Sequence, residues 1–420
     1  MLKIKLEQLL VFYFTSITLA IYNIPIGALN LSVDRIMVLP VFIIILIYYN
    51  KRIPGITEAI ALLIISSTLS LILPEGIEMK NTLKLLPSYI LCLFILFNAT
   101  KASNYFETSF ITKIFRFHWL IILFFTLYGF YHRYILNEIY FVYPLNSFLG
   151  DLSTDEHKVN MIRYFRLFFP LSSAPRLGFV SITLLLYHIY IESLMKRYSW
   201  LVTVSLIFIT LTTISRGPIA AIFVTVWISM LTRAYRENKL KSFFGYHVAL
   251  VITLFFSYLV IEVIAKDFKS FSRLLIFASD DDSSFEGHLG VRVRVINSLL
   301  NSDFISLFFG NGLGHFEAKM GTSSAHSSIF TQVFEQGIFG LLTYTLIYCI
   351  PIFTGLKLYL KYPSSLTFGL LQLSIFLFLV HFTYDAITTV NLWMYQGCIW
   401  GIMLKTRKKY DQNLNNYSNT

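Results

Sequence analysis

An arginine held between two apolar stretches is costly unless it meets an anion or water. The sequence has such a residue in Ser215-Arg216-Gly217-Pro218. Gly217 and Pro218 open the helix that follows, where free backbone N–H groups and the helix dipole also favour a negative ligand. The neighbouring Thr212, Thr213 and Ser215 favour an anion site over an arginine that only snorkels to headgroups. A second set lies in MIRYFRLFFPLSSAPRLGF, where Arg163, Arg166 and Arg176 alternate with aromatic residues. The spacing puts Arg163 and Arg166 on one helix face, which suits either a surface-lying helix or a clamp on a lipid-linked phosphate. Further on, VRVRVINSLLN supplies Arg292 and Arg294, and FFGNGLGHF supplies Gly310, Gly312 and Gly314. These glycines lack the strand and helix that frame a dinucleotide fingerprint, so they predict a turn that carries backbone amides close to a partner. Finally, AHSSIFTQVFEQGIFG sets His326 and Ser327 before an apolar helix holding Glu335, Gly337 and Gly340. Arginines grip phosphate oxygens in a forked geometry, and a neutral imidazole can orient or deprotonate a hydroxyl. Glu335 and Glu317 are alternative bases.

The elements that must position these residues are membrane helices. Of 420 residues 56% are hydrophobic and only 14% charged, too little polar surface for a body that faces water on all sides. Apolar runs between charge clusters predict about twelve spans, near 8–28, 36–50, 56–74, 85–100, 118–136, 177–194, 200–214, 218–232, 247–265, 336–356, 366–383 and 391–404. With both termini cytoplasmic, every inner segment is basic and holds together 19 of the 34 Lys and Arg, so one topology satisfies the positive-inside rule. The remaining cations lie outside, where the rule does not require them, and no nucleic-acid partner is expected. The chain then divides into helices over 1–136, a long outer loop over 137–176, helices over 177–265, a second long outer loop over 266–335, helices over 336–404 and a disordered polar tail over 405–420. Long ordered loops are usually functional, which directs the chemistry to the outer face.

Cys92, Cys349 and Cys398 sit in apolar runs without metal-ligand spacing, so neither a disulfide framework nor a zinc site is expected. The run Asp280-Asp281-Asp282 reads as a solvated turn, since a calcium loop needs alternating ligands and a closing Glu. No P-loop pattern occurs, which disfavours a primary pump.

The ordered set Ser215-Arg216-Gly217, an Arg-led outer helix, Phe309-Gly310-Asn311-Gly312-Leu313-Gly314, and His326-Ser327 followed by Glu335, Gly337 and Gly340 resembles the bacterial O-antigen polymerase and O-antigen ligase superfamily. The resemblance covers residues 160 to 345. Arg294 precedes Gly310 by the fifteen-residue gap of a polymerase motif, while Arg166 to Gly178 is one residue longer than the companion motif. The resemblance implies an all-α polytopic membrane protein, GT-C-like, in the bacterial inner membrane with its active site periplasmic. It implies a glycosyltransferase of lipopolysaccharide or other polysaccharide biosynthesis that uses undecaprenyl-diphosphate-linked oligosaccharide, with no metal or cofactor and with a chain-length regulator as protein partner. In that reading His326 and Arg216 are catalytic, Arg292, Arg294, Arg176 and Arg166 hold the substrate pyrophosphate, and Ser215, Gly217, Gly310, Gly312, Gly314 and Glu335 support them. Polymerase is favoured; a ligase acting on lipid A core, and a flippase for lipid-linked oligosaccharide, are the alternatives.

Overall fold

The computed structural model describes residues 2–17, 23–26, 29–48, 53, 55–72, 79–136, 171, 173–195, 197–213, 215–241, 244–245, 283–321, 325–387 and 389–418. Its elements in chain order are α1 (Leu2–Ser16), β1 (Asn23–Ile26), β2 (Leu29–Ser32), α2 (Val33–Tyr48), α3 (Ile56–Ile72), α4 (Met79–Tyr105) and α5 (Thr108–Phe130). After these come α6 (Ala174–Tyr187), α7 (Trp200–Thr212), α8 (Arg216–Arg236), α9 (Ser283–Leu300), α10 (Phe304–Phe309), α11 (Phe316–Met320), α12 (Ser328–Lys361), α13 (Ser365–Thr383) and α14 (Val390–Ser418). Helices at Leu85–Tyr105, Thr108–Phe130, Ala174–Met195, Arg216–Arg236, Ser328–Lys361 and Ser365–Thr383 are long and apolar enough to cross a membrane. The apolar helices α3 and α7 are shorter.

Ten of the expected spans fall on described helices, the first does so only in its first half, and the ninth, 247–265, lies outside the described residues. The first span departs from expectation. Its helix stops at Ser16, and Asn23–Ile26 pairs antiparallel with Leu29–Ser32, Asn23 opposite Ser32, so a short hairpin occupies the second half of the apolar run. Apolarity alone does not distinguish helix from strand, and Pro25 disfavours continuing a helix. The tail also departs: α14 is helical to Ser418 where a disordered end is expected. Midway along this stretch the helix makes contacts with a neighbouring segment. Asp411 pairs with Arg407 at 3.7 Å and with Lys361 at 3.3 Å, and the Tyr410 ring stacks on Tyr362 at 4.4 Å. The tenth span starts at Ser328, eight residues before the apolar run.

The first half of α14 is buried almost throughout, Trp393, Tyr395 and Trp400 fully so. It lies along α4, where a Cβ on Gly397 or Gly401 would come within 2.6 Å of the Leu96 or Thr100 carbonyl oxygen. Such small-residue contact is how helices approach closely without a hydrophobic driving force between them. Hydrogen bonds satisfy several interior polar groups. His118 bridges the Tyr395 hydroxyl (2.7 Å) and the Phe14 carbonyl (2.8 Å), tying α5 to α14 and α1.

Candidate functional site

The starts of α6, α8 and α12 and the end of α13 meet at one end of the bundle. Ser173 caps α6, accepting from the Arg176 amide at 3.4 Å, with Pro175 pre-set in the first turn. At α8, Gly217 and Pro218 let the helix start against its neighbours: a Cβ on Gly178 would lie 2.7 Å from Pro218, and one on Gly217 would lie 3.7 Å from the Thr383 side chain. The turn after α13 ties the rest together. The Tyr384 hydroxyl pairs with Ser173 Oγ at 3.0 Å, and the Tyr384 carbonyl accepts from the Ser328 amide at 3.2 Å. Ser328 Oγ accepts from the Ala386 amide at 2.7 Å and contacts His381 Nδ1 at 3.1 Å, while Thr331 donates to Asp385 at 2.8 Å.

Four segments far apart in sequence therefore share one end, those carrying Arg176, Ser215-Arg216-Gly217, His326-Ser327 and Thr383-Tyr384-Asp385. The expected residues occupy it differently. Arg216 is half-buried and Ser215 buried. Arg176 is nine-tenths buried and donates to Asn391 Oδ1 at 2.6 Å, which anchors it to the start of α14. His326 is exposed between fully buried Ala325 and Ser327 and has a left-handed φ of 52°. Its carbonyl accepts from Arg292 Nη2 at 3.2 Å, and the Arg292 guanidinium lies 5.6 Å from the Phe330 ring centre. Arg292 thus commits one of its five donors to the His326 segment. Arg294, two residues on, is exposed. The helix period separates the two, because Val291 and Val295 form the buried stripe of α9 against Phe316 and Phe334. Arg163, Arg166 and the acidic run at Asp280 lie outside the described residues.

The glycine turn has a partner within the chain. At Gly337 (φ 66°, ψ −167°) α12 is kinked, which frees carbonyls that an unbroken helix would use. The loop after α10 supplies donors for them: Asn311 donates its amide (2.9 Å) and Nδ2 (3.2 Å) to the Phe334 carbonyl, and the Gly312 amide donates to the Glu335 carbonyl at 3.0 Å. Gly310, Gly312 and Gly314 all have left-handed φ, between 83° and 98°. The buried Glu335 carboxylate turns back onto this loop, accepting from the Phe316 amide at 3.3 Å and facing the Gly314 amide. Glu335 is accordingly a clamp on the loop that leads toward His326. We expect Glu335→Gln, which keeps the Oε1 acceptor, to fold and to retain activity. Glu335→Ala orphans buried amides and should lower stability by about 1–3 kcal/mol in a thermal denaturation series. An inactive, well-folded Glu335→Gln would instead make the carboxylate a participant in chemistry.

Below the kink, Ser66 and Ser67 of α3 both donate to Gln336 Oε1 at 3.2 Å. Tyr89 and Gln332 lie in the same buried seam between α3, α4 and α12.

Tyr384, Asp385, His381 and Asn391 bind the site together, yet none stands out by motif. Two signals were available: a histidine inside an apolar span, and a Thr-Tyr-Asp break between two of the most apolar runs. Fold and site define a helical, membrane-embedded protein whose polar turns gather at one end of the bundle. No model of a known protein family and no curated protein matches the chain.

Proposed function

We propose that the chain is an O-antigen polymerase-type glycosyltransferase, acting at the periplasmic face of the bacterial inner membrane on undecaprenyl-diphosphate-linked oligosaccharide. The observation that carries this reading is the meeting of Arg176, Arg216, Arg292 and His326 at one end of a helical membrane bundle, in segments that charge distribution alone assigns to one side.

In the proposed reaction a sugar hydroxyl of one lipid-linked repeat attacks the anomeric carbon of the growing glycan. The bond from that carbon to the diphosphate oxygen breaks, and the lipid diphosphate leaves with the electron pair. His326 takes the hydroxyl proton, which its exposed side chain permits. Arg216 faces the charge that develops on the diphosphate, where a fixed cation stabilises the transition state more than the ground state. Arg176 and Arg292 hold the frame through Asn391 and the His326 carbonyl, and Arg294, exposed on another face of its helix, is proposed to meet the anion only from outside that frame.

Arg216→Lys keeps the charge but loses the fork. Polymer yield at equal protein level should fall about 10- to 100-fold, the size of one lost charge-assisted hydrogen bond. Normal yield would leave Arg216 a general electrostatic role.

Deleting the gene tests the whole reading, by gel analysis of surface polysaccharide beside the lipid-linked pool. Core bearing a single repeat without a ladder is expected. Uncapped core with long lipid-linked polymer would make the protein a ligase, and single repeats held on the cytoplasmic leaflet would make it a flippase.

A further inference from the structure

The opposite end of the bundle carries a second, separate arrangement. Helix α12, about 50 Å long at 1.5 Å per residue, ends there together with the C-terminus of α8 and the N-terminus of α13. Between the three lies a cavity of about 270 Å³, lined by Arg233, Arg236, Tyr359, Pro363, Ser364, Ser365 and Phe368.

Three features give this cavity a ligand chemistry. The first is excess charge. Glu237 is shared by Arg233 at 2.9 Å, Lys239 at 3.3 Å and Arg236 at 3.7 Å, so one carboxylate faces three cations. Ser364 and Ser365 add the partly positive N-terminal end of α13 to the rim. The second is an aromatic wall. The Arg236 guanidinium sits 5.0 Å from the Tyr359 ring centre, and Tyr359 packs on Phe368 at 5.2 Å. An arginine placed this way presents its edge donors to a planar or tetrahedral anion. The third is the approach to the cavity. Phe223, Trp227 and Met230, spaced four and three residues apart, form an exposed apolar strip on α8 that leads to Arg233 one turn later. A free phosphate ion has no use for that strip, whereas acyl chains do.

We propose that this cleft binds the phosphodiester of an anionic phospholipid, with Arg233 and Arg236 on the phosphate and the acyl chains along the exposed face of α8. Basic pockets between membrane helices are suited to such headgroups. The inference is independent of the glycosyltransferase reading, since it uses the other end of the molecule and none of its residues.

Native mass spectrometry of the full chain in neutral detergent tests it, with phosphatidylglycerol, phosphatidylcholine or inorganic phosphate added. Phosphatidylglycerol should be retained about thirtyfold more than phosphatidylcholine, the preference expected of two cations beside an anionic headgroup. Arg233→Gln/Arg236→Gln should remove that preference, and Arg233→Lys/Arg236→Lys should restore part of it. Lys408→Gln/Lys409→Gln removes the same charge without touching the cavity and should leave retention unchanged. Arg233 is 62% exposed against 29% for Arg236. Arg233→Gln alone therefore keeps the test decisive if the double variant does not fold, with retention falling about fivefold. Equal retention of the two lipids, or unchanged retention in the arginine variants, would overturn the proposal. Displacement of phosphatidylglycerol by millimolar inorganic phosphate would overturn it too, by assigning the cleft to the free ion.

Discussion

His326→Asn should leave a folded protein that makes about 10²- to 10⁴-fold less polymer, the usual effect of removing a positioned base. The choice of Asn follows from the backbone. A φ of 52° is uncommon for a residue with a Cβ, and asparagine tolerates it better than most. Such strain persists only where the surroundings over-determine it, and here they do. Ala325 donates its amide to Thr331, Ser327 Oγ donates to the His381 carbonyl, the Ser328 amide donates to Tyr384, and Arg292 holds the His326 carbonyl itself. The two flanking residues are fully buried and the histidine is exposed, so the strained turn turns one side chain outward. His326→Gly separates the imidazole from the turn. Glycine adopts the conformation freely, so this variant should match or exceed the parent in thermal stability while losing activity as Asn does. Polymer at the parental level from the Gly or Asn variant, measured by gel densitometry at equal protein amounts, would remove His326 from the chemistry.

Much of the helical framework was legible because charge clusters punctuate the apolar runs. The outward assignment of Arg176, Arg216, His326 and Asp385 rests only on counting cations, and the structure places the segments that carry them at one end of the bundle. Legibility failed where a partner distant in the chain decides the outcome. The helical tail sets Asp411 and Tyr410 against Lys361 and Tyr362, about fifty residues upstream. Arg176 reads as a phosphate ligand by type, but its setting comes from Asn391, 215 residues away. Glu335 reads as an alternative base, and its direction is fixed by a loop nineteen residues earlier. Tyr384 and Asp385 carry no motif because their work is to join segments, a property of the fold and not of any local pattern.

The glycine loop offers the sharpest structural test. Gly310 and Gly337 lie back to back: a Cβ on Gly310 would come within 2.3 Å of the Glu335 carbonyl and 2.4 Å of the Gln336 amide, and one on Gly337 within 2.4 Å of the Phe308 carbonyl. Both also have left-handed φ, 83° and 66°. Neither backbone can yield without breaking the bonds that Asn311 and Gly312 make to the freed carbonyls of α12. Gly310→Ala should therefore cost about 1–3 kcal/mol for overpacking and about 1–3 kcal/mol more for backbone strain, with Gly337→Ala similar. Gly312→Ala grades the effect. Its φ of 98° carries backbone strain, for which about 1–3 kcal/mol is expected. Because α12, which this loop braces, also begins at the His326 turn, the two larger losses should abolish activity as well as lower the melting temperature. If Gly310→Ala melted like the parent, the close approach of the loop and the kinked helix would be wrong. With it would go the account of Glu335 as the clamp on the glycine loop.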